Sequence, residues 1–152
     1  MSLGIAERPP RMDREFLDAL DFPIKVQVPI RFTDLDMLGH VNNAAAGIIL
    51  QEGRVAFDQR AALPALQAGL RQVVAGLRIE FANELKYPGV VEVCTGIAAI
   101  GRTSFTTIQL GRQNGRSALY AEITIVVCNA DGPAPISDEL RAEIERLRLP
   151  SR

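Results

Sequence analysis

The 152-residue chain predicts an α+β domain in which an antiparallel, five-stranded sheet wraps around one long helix. Three observations carry this prediction. Period-two apolar alternation runs through most of the chain from Val73 to Val127, as strands with one buried face require. A stretch from about Asn43 to Arg60 lacks that alternation and reads as one helix, apolar on nearly every side in its first half (Ala44, Ala45, Ala46, Ile48, Ile49, Leu50). Short turn sequences join the strands, so neighbours run antiparallel, and the economical way to bury both the helix and the apolar sheet face is against each other.

The elements follow in order. Residues 1–11 contain Gly4 and the Pro9–Pro10 pair and read as a flexible arm; Asp13–Leu20 fits a short helix that Pro23 ends. Together residues 1–23 form an N-terminal arm with a short helix. In Ile24–Arg31, Ile24, Val26, Val28 and Ile30 alternate as a strand. Pro29 inside the run makes it an edge strand or one that turns irregular there, because proline cannot donate to a ladder. Phe32–Asn43 is a polar, Gly-containing loop, and Asn42 or Asn43 is a natural cap for the helix that follows. After Pro64 and Gly69, Val73, Ala75, Leu77, Ile79 and Phe81 share one strand face. Val91, Val93, Thr95 and Ile97 mark a second strand, and Phe105–Gly111 a third. Asn114–Gly115 signals a type I′ hairpin, and Leu119, Ala121, Ile123, Ile125 and Val127 give the cleanest alternation in the chain. Ser137 caps a final helix, so the main domain spans 24–132 and a C-terminal helix 133–152.

Composition narrows the function. Seventeen basic against 18 acidic residues leave a net charge of −1, so no broad basic field draws in nucleic acid or an anionic membrane. No run approaches the roughly 18 apolar residues of a membrane span, and the N-terminus has no signal-peptide core. Cys94 and Cys128 form no CxxC pair and sit in strand patterns as packing residues; a reducing, cytoplasmic setting is expected. With one histidine, His40, and two cysteines, neither an imidazole-rich nor an all-cysteine metal site can be assembled, so no metal is expected.

The densest group of reactive side chains is Asp34, Asp36, His40, Asn42 and Asn43, between an edge strand and a buried helix N-terminus. That helix end carries free N–H groups and about half a positive charge, which suits an oxyanion. A carboxylate beside such donors is half of an acyl-transfer site. The same residues equally order a turn and cap a helix, since Asx side chains crowd into loops for local reasons.

The segment PIRFTDLDMLGHVNNAAAGIILQEGR, Pro29–Arg54, resembles the signature of the 4-hydroxybenzoyl-CoA thioesterase-like branch of the hotdog-fold superfamily. The matching positions are Arg31, Asp34, Asp36, Gly39, His40, Val41, Asn42, Asn43, Glu52 and Arg54. Glu84–Gly89 is similar to that family's polar, Pro-containing join between strands, and Arg102–Thr103–Ser104–Phe105 to its short R-x-S-F segment. The likeness covers roughly residues 25–130. It implies a hotdog fold and hydrolysis of acyl thioesters, acyl-CoA or acyl carrier protein, without metal or organic cofactor, coenzyme A entering only as part of the substrate. It also implies a homodimer or tetramer with active sites at a shared interface.

By that resemblance Asp36 takes the catalytic position, as nucleophile or as general base toward water, and N–H groups near Asn43 polarise the carbonyl. His40 either meets the substrate or Asp36, or bonds backbone in a tight turn. Asp34 and Glu52 are secondary catalytic candidates. Glu52 stands nine residues past Asn43, about 13 Å along the axis, too far to serve the same carbonyl within one subunit. Arg102, Thr103 and Ser104 are candidate contacts for coenzyme A phosphates, or simply an exposed strand end. Where relatives carry an aromatic residue three places past the Asn–Asn pair, this chain has Ala46, which leaves room for a bulkier acyl group. Two alternatives to hydrolysis stand beside this reading. One is a non-catalytic acyl-thioester-binding module. The other is an enoyl-thioester hydratase, whose D-x-N-P-L-H pattern the spacing of Asp34 and Asp36 to His40 fits poorly.

Overall fold

The computed structural model of the protein describes residues 10–152. Residues 1–9 of the expected arm lie outside the described residues. The elements are α1 (Arg14–Ala19), β1 (Ile24–Pro29), α2 (Asn43–Phe57), a single turn α3 (Leu63–Ala65), β2 (Arg71–Phe81), β3 (Val90–Ile100), β4 (Ser104–Gln113), β5 (Arg116–Asn129), a two-residue β6 (Gly132–Pro133) and α4 (Asp138–Glu145). The five main strands are antiparallel in the order β1-β3-β4-β5-β2, and β6 folds back on β5. This is the hotdog arrangement: a curled antiparallel sheet around the central helix α2. Among the described residues no helix is long and apolar enough to cross a membrane.

The strand faces explain the curl. Leu119, Ala121, Ile123, Ile125 and Val127 of β5 and Val91, Val93 and Ile97 of β3 are all buried against Ile49, Leu50 and Phe57 of α2 in one core. Burying these branched side chains stabilises by roughly 1.5–3 kcal/mol each. Polar residues pin the helix in register over the sheet. The buried Gln109 side chain donates from Nε2 to the Leu50 carbonyl (3.0 Å) and to Thr95 Oγ1 (3.0 Å).

Four expectations are corrected, three of them in α2 and β2. The first half of α2 is not buried on every side: Ala44 is exposed and Ile48 is 47% exposed, because the sheet covers one side of the helix and nothing among the described residues covers the other. The helix also does not run evenly to Arg60. It widens into a π turn over Asp58–Ala62, where the Leu63 N–H reaches the Asp58 carbonyl. Pro64 follows at once and has no N–H to give to Arg60. In β2, the register against β5 slips between Val74 and Gly76. This bulge breaks the alternation, so Val73 and Leu77 no longer share a face.

Nor is only one sheet face apolar. A second cluster on the outer side joins Cys94, Ile108, Leu110 and Tyr120 to Leu17 of α1, Phe22 and Leu149. Asp18 fastens α1 there, accepting from Ser117 Oγ (2.6 Å) and Tyr120 Oη (2.7 Å).

Gly53 lies where α2 presses closest on the sheet. A Cβ at that position would stand 2.3 Å from Val93 Cγ1 and 3.1 Å from Gln109 Nε2. Although alanine is the better helix former, Gly53→Ala therefore destabilises the fold by about 1–3 kcal/mol, read as a lower denaturation midpoint. An unchanged or raised midpoint would contradict this packing.

Candidate active site

The loop from Arg31 to Asn43 is built from its own hydrogen bonds. Asp34, 2% exposed, accepts from the Arg31 amide (2.7 Å) and from the Arg31 guanidinium (2.8 Å to Nη2, 3.1 Å to Nε). It closes the short 3-10 turn Phe32–Asp34, and its carbonyl accepts the Asn42 N–H (2.8 Å). The Arg31 guanidinium holds the Asp34 carboxyl below the usual carboxylate range against the opposing pull of burial. Both oxygens of this carboxylate are occupied.

Asp36 is held differently. Its Oδ1 accepts the backbone N–H of Leu38 (2.8 Å) and of His40 (3.1 Å). The main chain closes the same loop: the Asp36 N–H donates to the His40 carbonyl (2.8 Å), and the Gly39 N–H to the Asp36 carbonyl (3.1 Å). Leu35 and Val41 bridge at its mouth. Gly39 sits at φ +77°, a left-handed conformation that glycine adopts without strain. Among the described residues Asp36 Oδ2 accepts no hydrogen bond.

Asn42 then caps α2, its Oδ1 accepting the Ala44 N–H (2.8 Å). The amides of Asn43 and Ala45 lie in the first turn of a 15-residue helix and have no carbonyl four residues back within it. The first turn holds no acidic side chain to neutralise the positive helix end.

These groups meet on one cleft of about 310 Å³. Asp36, His40, Asn43 and Ala46 line it together with Val41, Phe81, Glu84, Leu85 and Leu119. His40 Nε2 stands 3.5 Å from Glu84 Oε1, so the imidazole turns toward the β2–β3 join, while its backbone N–H serves Asp36. The lining residues beyond the helix end were not singled out from sequence as site residues. The polar Glu84–Gly89 join is the one signal that pointed to them; Leu119 and Phe81 read only as strand residues.

The remaining candidates lie elsewhere. Glu52 and Asp34 line a separate cleft of about 260 Å³ between α2 and β1, with Arg31, Val28, Ile48 and Ile49. Arg102, Thr103 and Ser104 form the turn from β3 into β4, where Ser104 pairs with Val126 and the Val127 N–H donates to Thr103. Asp36's cleft opens at the other end of the sheet, beside the Phe81–Leu119 pair. An 11-residue strand, β3, separates the two ends by roughly 30 Å. Among the described residues no group of three His, Cys, Asp or Glu side chains is placed to hold a metal ion.

With fold and cleft described, comparison with known proteins bears on the chemistry. The family model of the thioesterase-like superfamily matches residues 30–144, and the chain belongs to that superfamily. A thioesterase from Thermus thermophilus, solved in complex with coenzyme A and zinc, is 32% identical. It superposes at a TM-score of 0.75, with 82% of this chain and 98% of that one covered. A predicted thioesterase from Bacillus stearothermophilus is 26% identical at the same TM-score, over 82% of this chain and 96% of its own. The uncharacterised protein YsmA of Bacillus subtilis is 25% identical over 112 residues, 73% of this chain and 76% of that protein. Family and fold together support thioester hydrolysis as the general chemistry.

The Asp34–Arg31 pair has a pH signature. A carboxylate whose folded pKa is depressed contributes stability that is complete above its unfolded value, about 4, and is lost as pH falls through the folded value. Thermal melts of the native protein should therefore decline below about pH 4. Asp34→Asn should lower Tm by several degrees at pH 7 and flatten that acid limb; a parallel limb in the variant would show that Asp34 is not its source.

Proposed function

We propose that the chain hydrolyses acyl thioesters, with acyl-CoA as substrate, through Asp36. The observation that carries this reading is the asymmetric hold on Asp36: one oxygen is latched by two amides, the other accepts no hydrogen bond among the described residues, and the residue lines a cleft at a helix N-terminus. Latching fixes the carboxylate's direction before substrate arrives, so little ordering remains at reaction. A thioester bound with its carbonyl oxygen toward the Asn43 amide presents its carbon to the open oxygen. Asp36 then adds to that carbon directly or takes a proton from a water that adds. Negative charge gathers on the carbonyl oxygen, where the helix end offsets it. The C–S bond breaks, the thiolate leaves and is protonated, and water supplies the oxygen of the carboxylate product. The reaction written this way requires no cofactor.

The D-x-D-x-x-G-H-V-N-N run supports the 4-hydroxybenzoyl-CoA thioesterase-like branch, and two reduced cysteines fit a cytoplasmic setting. Ala46, only 1% exposed at the cleft floor, faces the side where the acyl group would lie. Assembly as a homodimer accounts for two further features. Edge strand β2 exposes Val73 (41%), Val74 (43%), Leu77 (54%) and Phe81 (47%), an unpaired apolar edge of the kind that pairs with another strand. Antiparallel pairing of two β2 strands would carry a second copy's Arg102–Ser104 turn toward this copy's Asp36 end, where it would meet the substrate's phosphates. A tetramer would add further copies to that pair.

Thiol release from a panel of short, long and aryl acyl-CoA thioesters tests the reaction. Asp36→Asn should cut release by about 100-fold or more with circular dichroism unchanged; full activity in that variant would move the chemistry to Glu52. Binding of acyl-CoA with no thiol released from any thioester would favour the non-catalytic module. Ala46→Tyr should shift preference toward shorter or smaller acyl groups, and an unchanged profile would remove Ala46 from the acyl pocket.

A further inference from the structure

Phe81 and Leu119, register partners on β2 and β5, stand together in the wall of the Asp36 cleft. Residues 12–22, which contain α1, lie on the outer side of the same strand pair, where Leu17 and Phe22 share an apolar cluster with Leu110 and Tyr120. We infer that this segment acts as a clamp on the cleft wall, and that Asp18 is a positioning residue for substrate binding, acting through Ser117 and Tyr120. The inference rests on the thioesterase reading, which supplies the substrate that the wall would meet.

The clamp takes hold of both strands, each time beside a cleft-lining side chain. On β5, Asp18 accepts from Ser117 Oγ (2.6 Å) and Tyr120 Oη (2.7 Å), on either side of Leu119. On β2, Glu80 precedes Phe81 and accepts the Met12 N–H (2.9 Å) and the Arg14 guanidinium (3.3 Å). Glu80 and Tyr120 are themselves register partners, and the Arg14 guanidinium lies 5.2 Å over the Tyr120 ring. Successive side chains leave opposite faces of a strand, so what fixes residues 80 and 120 from outside orients 81 and 119 inside. Tyr120 is 3% exposed, and its hydroxyl, pushed up by burial and by the Asp18 bond, stays protonated and donates. Without the carboxylate it loses that acceptor, and an unmet buried donor costs more than a hydrogen bond contributes.

The wall extends through the backbone. The Ala82 N–H donates to the Ala118 carbonyl (2.8 Å) and Asn83 Nδ2 to the Ser117 carbonyl (2.7 Å), so the β2–β3 join that holds Glu84 hangs on the same stretch of β5. Arg112 ties that stretch to α1 once more, donating to Ser117 Oγ (3.3 Å) and to the Asp18 carbonyl (3.2 Å). The reacting side of the cleft is held separately. Asp36 is latched by Leu38 and His40, Asn42 caps α2, and among the described residues no hydrogen bond joins residues 12–22 to that loop. A loosened clamp therefore disturbs the surface that receives the acyl group, while Asp36 and the helix end keep their relation.

Steady-state kinetics with an acyl-CoA thioester that the native protein hydrolyses read the clamp. Asp18→Ala should raise KM about fivefold or more while kcat stays within about twofold. Tyr120→Phe, which removes one hydroxyl and keeps the ring packing, should raise KM in the same direction and carries the test if Asp18→Ala does not fold. Asp21→Ala, which loses an exposed pair with Lys25, should leave both constants unchanged. In a Phe81→Ala background Asp18→Ala should raise KM by much less, because the side chain it positions is gone. Amide hydrogen exchange on the free protein gives a readout without turnover: protection in Asp18→Ala should fall at residues 80–83 and 117–120 and hold at 36–46. A lower Tm with unchanged KM would overturn the assignment and leave α1 a cover for the outer face. Equal KM effects in the two backgrounds, or a loss confined to kcat, would also overturn it. The two readings fail separately: thiol release from no thioester removes hydrolysis, whereas unchanged exchange in the wall removes the clamp.

Discussion

Two backbone N–H groups, from Leu38 and His40, converge on a single oxygen of Asp36, and the geometry of the whole cleft follows from that convergence. The bonds close a loop small enough that a glycine with positive φ must turn it, at position 39. Because the loop is closed, the chain leaves it directly into Asn42, whose side chain starts α2. Carboxylate and helix end are therefore neighbours by covalent connection, and their relation does not depend on distant packing. The helix in turn is fixed over the sheet, by the close seat of Gly53 on Val93 and by the Gln109 side chain beneath Leu50.

The two aspartates of the motif show how environment divides like residues. Asp34 is buried and spends both oxygens on Arg31, which makes it a brace for the loop. Asp36, two residues on, lines the cleft and has one oxygen that accepts no hydrogen bond among the described residues. Under the proposed mechanism, such a division sets a rigid brace beneath the reacting carboxylate, and rigidity favours attack by a weak nucleophile.

Much of this was legible from residue pattern. The five strands, the edge position of β1, the Asn42 cap, the type I′ turn and the Ser137 cap each have a local cause, and local causes are written in neighbouring residues. What escaped has a non-local cause. The bulge in β2 depends on pairing with β5, some 50 residues away, and hides inside an apparently regular alternation. The exposed Ile48 follows from how far the sheet curls, and the apolar outer face from the docking of α1 and Leu149. At the site, the motif located the Asp36 loop and the helix end, but not the wall opposite. Phe81 and Leu119 reach it through strand register, and Glu84 through the join that leads from β2 to β3. Which aspartate pairs with Arg31 is likewise invisible in spacing, since both lie within reach of its long side chain.

The most direct test is a crystal structure with a non-hydrolysable acyl-CoA analogue in which a methylene separates the acyl carbonyl from sulfur. The account predicts the carbonyl carbon in contact with the open oxygen of Asp36 and the carbonyl oxygen directed at the first amides of α2. A carbonyl seated beside Glu52, in the cleft between α2 and β1, would contradict it.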